Sequence, residues 1–452
     1  MNIVIAGAGK VGSTLSSDLA KENHDILLIE LTESKLDQCI NAYDIRGIVG
    51  NGATYDILTE AGVDRADVFI AVMGSDETNM IAAITAKKLG AKNVIARVRN
   101  PEYSAQVDFL RESLGITLMI NPEHEAAKAI AQMLLFPNAL SVESFAHGRV
   151  NLVEVLLSAE APMIGMQLKS LRDKFGRVII CVVTRGEEVI IPDGETRLMA
   201  DDLVMVTGTT QDVRMFCDMS QPNVKKITSA LIVGGGRVTD YLLTRLMQLH
   251  VRVKVIEINP ENADRLAFKY PKAEIALGDG TRQAMLNEEH LTEYDALITL
   301  TGIDEENILT SIYAARCGVK KTITKVNRTD LLKVLDKAGL QAIITPQRLI
   351  ADHIVRFIRS RDNAQGSNVT AFYRLAEDRV EILQFAVRET SRAGRTLLSK
   401  LSIKPGALVV CIMRGEQLIF PGGVNKLLPG DDVIVATIHQ GFQDLDDLLD
   451  ER

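Results

Sequence analysis

Apolar residues fall in short unbroken runs, separated by stretches in which they recur every three or four positions. Ile3-Val4-Ile5-Ala6 is the first run and reads as a buried parallel strand. Behind it Val11, Leu15 and Leu19 stand four apart, the spacing of one helix face. A second run, His24 to Ile29, ends at Glu30. Val68–Val72, a helical pattern at about 77–89, and Val94–Val98 continue the alternation. Residues 1–140 therefore predict βαβ order and a parallel sheet. Residues 141–221 read differently. Short strands are expected near Leu152–Leu157, Val178–Val183, Glu188–Ile191 and Leu203–Val206, with one helical patch near Met166–Lys174. Arg185-Gly186-Glu187 suits a hairpin turn and Pro192-Asp193-Gly194 a loop, so this is a small α+β lobe.

The first strand and helix are joined by Gly7-Ala8-Gly9-Lys10-Val11-Gly12, a G-x-G-x-x-G in the strand–turn–helix context of a dinucleotide site. The first glycine permits the tight turn, the second lets backbone approach a pyrophosphate, and the third lets the helix pack closely on the strand. The helix N-terminus offers unpaired N–H groups to phosphate. Glu30, at the end of the second strand, is placed for ribose hydroxyls.

The pattern then repeats. Leu231-Ile232-Val233 leads into Gly234-Gly235-Gly236-Arg237-Val238-Thr239, and Val251–Ile256 ends at Glu257. Gly50-Asn51-Gly52 returns as Gly278-Asp279-Gly280, and Arg185-Gly186-Glu187 as Arg414-Gly415-Glu416. An offset that drifts only from 227 to 229 residues along the chain means duplication. The fold class expected is α/β: two tandem Rossmann-like parallel-sheet N-lobes (1–140 and 228–366), each followed by a small α+β C-lobe (141–221 and 367–452). Helical segments Pro122–Phe136 and Pro346–Ser360 bridge the lobes, each opening on a proline. Their apolar residues fit either packing on their own sheet or helix-mediated dimerisation.

Several side chains fall at expected strand ends, where open α/β sheets bind ligands. Asn51 is set to meet an adenine edge or to form an ordinary turn, with Thr54 beside it. Ser75 or Asp76 suits a helix N-cap. Arg97 and Arg99 alternate to one face, as a phosphate fork or as a solvated pair. Lys10 reaches a terminal phosphate or faces water. Other chemistries find no support. Val11 after Gly9-Lys10 fails the P-loop pattern, His124-Glu125 lacks the second histidine of a zincin helix, and no G-x-S-x-G occurs. The α+β lobe presents Glu, Arg and Asp in turns and no hydride-accepting set, which suggests a sensor.

Composition narrows the class further. At 452 residues the chain exceeds one core. A net charge of −8 argues against nucleic acid as a partner. Five scattered cysteines without C-x-x-C predict reduced thiols in a cytosolic protein, and no basic leader or membrane-length apolar run stands in the sequence. Any link to a membrane is expected to pass through a partner.

These features together resemble the TrkA family, the peripheral cytosolic subunits of Trk potassium-uptake systems. The likeness spans essentially the whole chain. It is carried by Gly7–Gly12, Glu30, Gly50-Asn51-Gly52-Ala53-Thr54, Ser75-Asp76-Glu77-Thr78-Asn79-Met80, Ala96-Arg97-Val98-Arg99, Asn121-Pro122-Glu123 and the tandem RCK order of lobes. A dehydrogenase shares only the first two. The resemblance implies NAD(H) and ATP or ADP as ligands, a membrane K⁺-translocating partner of the TrkH/KtrB type at the inner face of the cell membrane, and gating through a ring of RCK domains instead of catalysis. It places nucleotide contacts on Gly7, Ala8, Gly9, Lys10, Val11, Gly12, Glu30, Asn51, Thr54, Ser75, Arg97 and Arg99, with Gly234, Gly236, Arg237, Glu257, Asp279 and Lys325 as second-unit counterparts. There Thr239 replaces the third glycine, Lys325 stands for Arg97 and Asn327 for Arg99. The Thr239 Cβ is expected to crowd helix against strand and weaken the second site. A soluble NAD-dependent oxidoreductase with a duplicated Rossmann half is the alternative.

Overall fold

The computed structural model describes residues 1–22, 24–104, 106–145, 150–222, 226–328, 340, 342–363, 369–375, 379–439 and 441–450. The first N-lobe is a six-stranded sheet of β1 (Asn2–Ala6), β2 (Asp25–Glu30), β3 (Arg46–Val49), β4 (Val68–Ala71), β5 (Asn93–Arg97) and β6 (Leu118–Ile120). The order is β3-β2-β1-β4-β5-β6, and every pairing is parallel. Helices cover both faces, so Ile3 to Ala6 and Val68 to Ala71 are buried without alternation. Chain order reverses at β1, between β2 and β4. A crevice therefore opens at the carboxyl ends of β1 and β4, where Gly7 and Met73 follow.

The first C-lobe is antiparallel: β7 (Ala139–Phe145), β8 (Val150–Leu156), β9 (Ile179–Arg185), β10 (Glu188–Ile190) and β11 (Leu203–Thr207), ordered β10-β9-β11-β8-β7. Gly186 turns the β9–β10 hairpin at φ +59°. Two of its elements go beyond the sequence reading. The boundary drawn at 140/141 falls inside β7, a strand whose Ser141, Glu143 and Ser144 mask its pattern. The helix Thr210–Ser220 buries Val213, Phe216, Cys217 and Ser220, a helical stripe legible in retrospect. Thr209 caps it, its hydroxyl accepting from the Asp212 N–H at 3.1 Å.

Both lobes recur. β12 (Ser229–Val233), β13 (Arg252–Glu257), β14 (Glu274–Leu277), β15 (Ala296–Thr299), β16 (Lys321–Lys325) and β17 (Ala342–Ile344) form a parallel sheet ordered β14-β13-β12-β15-β16-β17. β18 (Val369–Leu375), β19 (Val380–Ala386), β20 (Ala407–Arg414), β21 (Gln417–Ile419) and β22 (Asp432–Thr437) form an antiparallel one ordered β18-β19-β22-β20-β21. The lobe boundary drawn at 366/367 lies outside the described residues.

Like joins like in space. The two N-lobes form one compact unit (Met1–Ala131 with Ile227–Val355) and the two C-lobes another (Gln132–Lys226 with Arg356–Arg452). The C-lobes share a core, Val150, Leu152, Cys181 and Val182 of one with Val380, Ile382, Val410 and Cys411 of the other. The bridging helices Pro122–Leu135 and Pro346–Asn363 pair the N-lobes inside one chain: Arg348 of the second meets Asp18 of the first lobe at 2.9 Å. Neither sequence reading of these helices included a contact of that kind.

Each C-lobe is pinned by one ion pair. Asp202 is fully buried and takes Arg185 through two bonds of 2.7 and 2.8 Å, and Asp431 takes Arg414 likewise at 2.8 Å. Arg185→Ala strands a buried carboxylate, so we expect a loss of about 3 kcal/mol in urea unfolding. Arg414→Ala should match it, and an unchanged midpoint in both variants would show that the pairs are not structural.

Candidate functional site

The first glycine loop is shaped by two places where a side chain does not fit. Gly7 sits at φ +110°, where a Cβ would lie 3.1 Å from both the Met73 nitrogen and the Val72 carbonyl carbon. A Cβ on Gly12 would overlap the Gly7 carbonyl oxygen. Around Gly9, by contrast, there is open space. Gly9 is the N-cap of the helix Lys10–Ala20, and no side chain caps it. The N–H groups of its first turn thus face an open cradle. Lys10 is exposed at the mouth, while Ala8 and Val11 are buried beneath. Glu30 closes the loop from β2: its carboxylate accepts from the Ala8 N–H at 2.7 Å and the Thr32 N–H at 3.1 Å.

Across the crevice, Asn79 is the fastener. It is fully buried on the helix Asp76–Leu89. Its Oδ1 accepts from the Met73 N–H at 2.7 Å, and its Nδ2 donates to the carbonyls of Met73 at 3.1 Å and Arg97 at 2.9 Å. One side chain thereby ties the exits of β4 and β5. Asp76, also buried, accepts from the Arg99 and Asn100 N–H groups at 2.8 Å each. The Arg97 guanidinium donates to the Met73 carbonyl and Arg99 to the Gly74 carbonyl at 2.6 Å, so the two cations do share a side. Burial lowers the Arg97 pKa to about 10, and the Arg99 charge adds to the effect. Ser75 caps its helix, accepting from the Thr78 N–H at 3.3 Å and donating to Glu77 at 2.6 Å. Asn51 forms a local turn, accepting from the Ala53 N–H at 3.1 Å, and the Thr54 hydroxyl donates to the Asn51 carbonyl at 2.9 Å.

The second loop repeats the plan with different parts. Gly234 sits at φ +103°, and Gly236, like Gly9, has open space beside it, with Arg237 exposed. Glu257 accepts from the Gly235 N–H and from Asn259 N–H at 2.7 Å. Thr239, expected to crowd helix against strand, is fully buried, and its hydroxyl donates to the Gly234 carbonyl at 2.5 Å. The helix Arg237–Gln248 is further anchored through Asp240, which binds Arg265 and Lys269 at 2.6 Å each and Tyr270 at 2.5 Å. Asp279 accepts from Thr281 and Arg282 in a turn of its own. Asn307 repeats Asn79, donating to the Lys325 carbonyl at 3.0 Å, and Lys325 donates to the Leu300 carbonyl at 3.0 Å. Burial lowers the Lys325 pKa.

The two clefts face each other. Arg97 feels the charge of Arg237, from the other lobe's glycine loop, and Lys325 feels Lys10 in the same way. Both also feel Glu123, whose Oε2 is buried without a hydrogen-bond partner. The cationic groups predicted for two separate sites thus gather along one seam.

With this geometry in view, comparison with known proteins is decisive. The TrkA-N domain model matches residues 3–122 and again 230–346, and the TrkA-C domain model matches residues 152–221. The Trk system potassium uptake protein TrkA homolog of Archaeoglobus fulgidus is 32% identical over 96% of this chain and 97% of its own length. The chain belongs to the TrkA family. The TrkA of Vibrio alginolyticus is 30% identical over 98% of this chain and 97% of its own. Among solved structures, the GsuK channel bound to NAD covers 96% of this chain and 76% of its own, with a TM-score of 0.63 and 17% identity, a likeness of fold. No described helix is long and apolar enough to cross a membrane.

Sequence reading passed over Asn79 and Asn307 as ligands of the backbone, although both close the motif that begins at Ser75 and at Ile303. Asn79→Ala removes three hydrogen bonds at the crevice and leaves the Met73 N–H without its acceptor, while the Met73 carbonyl keeps Arg97. We expect a loss of roughly 2–4 kcal/mol by denaturant unfolding. A loss under about 0.5 kcal/mol would mean that water replaces the amide at no cost.

Proposed function

We propose that this TrkA-family chain is a nucleotide-sensing regulatory subunit that gates a membrane potassium transporter of the TrkH/KtrB type. It works at the inner face of the cell membrane, as a ring of copies, and it is a sensor and not an enzyme. NAD(H) and ATP or ADP are its ligands. Gly7, Gly9 and Gly12 cradle the diphosphate, Glu30 takes the ribose, and Asn51 and Thr54 border the adenine. The carrying observation is that Arg97 and Lys325, half-buried and each held by a hydrogen bond to a backbone carbonyl, share Glu123 and each feel the exposed cation of the other lobe's glycine loop, Arg237 and Lys10. A polyphosphate supplies opposing charge to these cations. The relatives are potassium uptake proteins and the GsuK structure is a channel bound to NAD, which supports the same reading.

Gating requires that a ligand bind two lobe arrangements unequally. A polyphosphate in the first cleft draws on Arg97 of its own lobe and Arg237 of the other, so it favours a closed seam. A dinucleotide spends its contacts on the glycine loop and Glu30, within one lobe. The two ligands compete for one cradle and favour different seams. About 1 kcal/mol of preference per site, pooled over a ring, is enough to shift a gate.

Two measurements test this. Titration calorimetry should show NAD(H) binding more tightly than NADP(H), because the Glu30 carboxylate repels a 2′-phosphate; tighter NADP(H) binding contradicts the ribose assignment. Lys10→Ala with Arg97→Ala should weaken ATP by roughly ten- to a hundredfold and leave NADH within a few-fold. The same variant should lose the ATP response of K⁺ flux in a complex reconstituted with its transporter. A full ATP response in that variant would reduce both cations to surface charges.

A further inference from the structure

The seam between the N-lobes is built twice, because each lobe presents the same helix face to the other. On the helix Lys10–Ala20 that face carries Lys10, Thr14 and Asp18; on Arg237–Gln248 the equivalent positions are Arg237, Tyr241 and Arg245. Each face meets the start of the other lobe's bridging helix. At one end Asp18 pairs with Arg348 at 2.9 Å, and Arg348 also holds Asp352 at 2.9 Å. At the other end Arg245 meets His124, the residue equivalent to Arg348, at 2.9 Å through His124 Nε2. One end is an arginine–carboxylate pair, and its counterpart is an arginine–imidazole bond.

The chemistry of the second end fixes the protonation state it needs. A guanidinium can only donate, so His124 Nε2 must carry its lone pair. The ring proton then lies on Nδ1, which points to Glu125 Oε1 at 3.4 Å. The His124 ring also stands edge-on to Tyr241 at 5.5 Å. We infer that the His124–Arg245 bond is a proton-operated latch between the two N-lobes, which opens when the His124 ring takes up a second proton while the Asp18–Arg348 end stays closed.

Every charge that faces the ring bears on this. Arg245 and Tyr241 come from the second lobe's loop helix, Glu125 and Lys128 from His124's own helix, and His353 from the other bridging helix. Burial pushes the Glu125 carboxyl up, but His124, Lys128 and His353 outweigh it and hold it at about 2. Glu125 is therefore an anion throughout the range in which imidazole titrates. Protonation at Nε2 sets a second donor against Arg245 and two like charges in contact. The imidazolium keeps its partner inside its own helix, Glu125, and loses the partner in the other lobe. The Asp18–Arg348 end contains no imidazole in its ion pair.

The latch has a short path to the cleft. Tyr241, one turn before Arg245, donates from its hydroxyl to the Arg99 carbonyl at 3.1 Å and accepts from Asn121 Nδ2 at 2.9 Å. Four residues further back is Arg237, and before it the second glycine loop. Release of Arg245 frees the far end of a helix whose near end is a nucleotide cradle.

The test needs no nucleotide and is independent of the proposed function. Amide hydrogen exchange of the full chain is followed at about pH 8 and about pH 5.5, corrected for intrinsic rates, with His124→Gln and Arg245→Ala beside the wild type. In the wild type, segments 121–128 and 238–249 should exchange roughly five- to tenfold faster at the lower pH, the factor carried by one net hydrogen bond. Segments 10–20 and 346–355 should not change. His124→Gln keeps a neutral acceptor and should remain protected at both pH values. Arg245→Ala should exchange at the wild type's low-pH rate at both. Absence of the pH effect from the wild type overturns the latch. So does its survival in either variant, which in His124→Gln would assign it to His353.

Discussion

The constraint on which the N-lobes depend is the burial of like charges. Arg97 and Lys325 end the fifth strand of each parallel sheet, sink into the crevice, and spend hydrogen bonds on backbone carbonyls. Neither is neutralised by a bonded carboxylate. Each has carboxylates near it, Glu123 and Asp76 for Arg97 and Asp304 and Glu123 for Lys325, with the cation of the other lobe's glycine loop a smaller influence. In the function proposed above, an anion entering the seam offsets the burial of both cations and couples ligand binding to lobe closure by electrostatics.

Duplication inside one chain lets the two halves of that seam diverge. In the second lobe a Cβ on Gly235, the counterpart of Ala8, would come within 2.7 Å of Glu257 and 2.8 Å of Leu266. Ser13, hydrogen-bonded to Tyr43 at 3.1 Å, becomes Asp240 with its two cations and Tyr270. The second helix is consequently bolted to its neighbour by charge where the first is held by a single hydroxyl pair.

How much of this was legible depended on range. Gly7, Gly12 and Glu30 were readable because a strand, a turn and a helix adjoin in sequence and their chemistry is local. Parallel-sheet burial made β1 and β4 plain as continuous apolar runs. The edge strand β7, carrying Ser141, Glu143 and Ser144, gave no such run. At Thr239 the side chain bonds the Gly234 carbonyl, a contact that the sequence does not reveal. Asn79 sat in a motif already noticed, yet its task appears only once β4 and β5 lie side by side. His124 and Arg245 are 121 residues apart, and no periodicity links them.

The joining of like lobes follows from the same accounting of faces. Each N-lobe carries one helix face with an exposed cation at its mouth and one bridging helix whose start is polar. A lone N-lobe would leave both in water, and its strand-end cation would have no opposing charge to sense. Against its copy, each face finds the other's bridging helix, and each crevice gains the other's loop. The C-lobes solve a different problem, an apolar sheet face, and they solve it by mutual burial through Val150, Leu152, Val380 and Ile382. One pairing is made through charged and polar side chains, the other through apolar ones. In the proposed sensor the two have separate tasks: the N-lobe seam answers ligands and protons, and the C-lobe core joins the two halves of the chain.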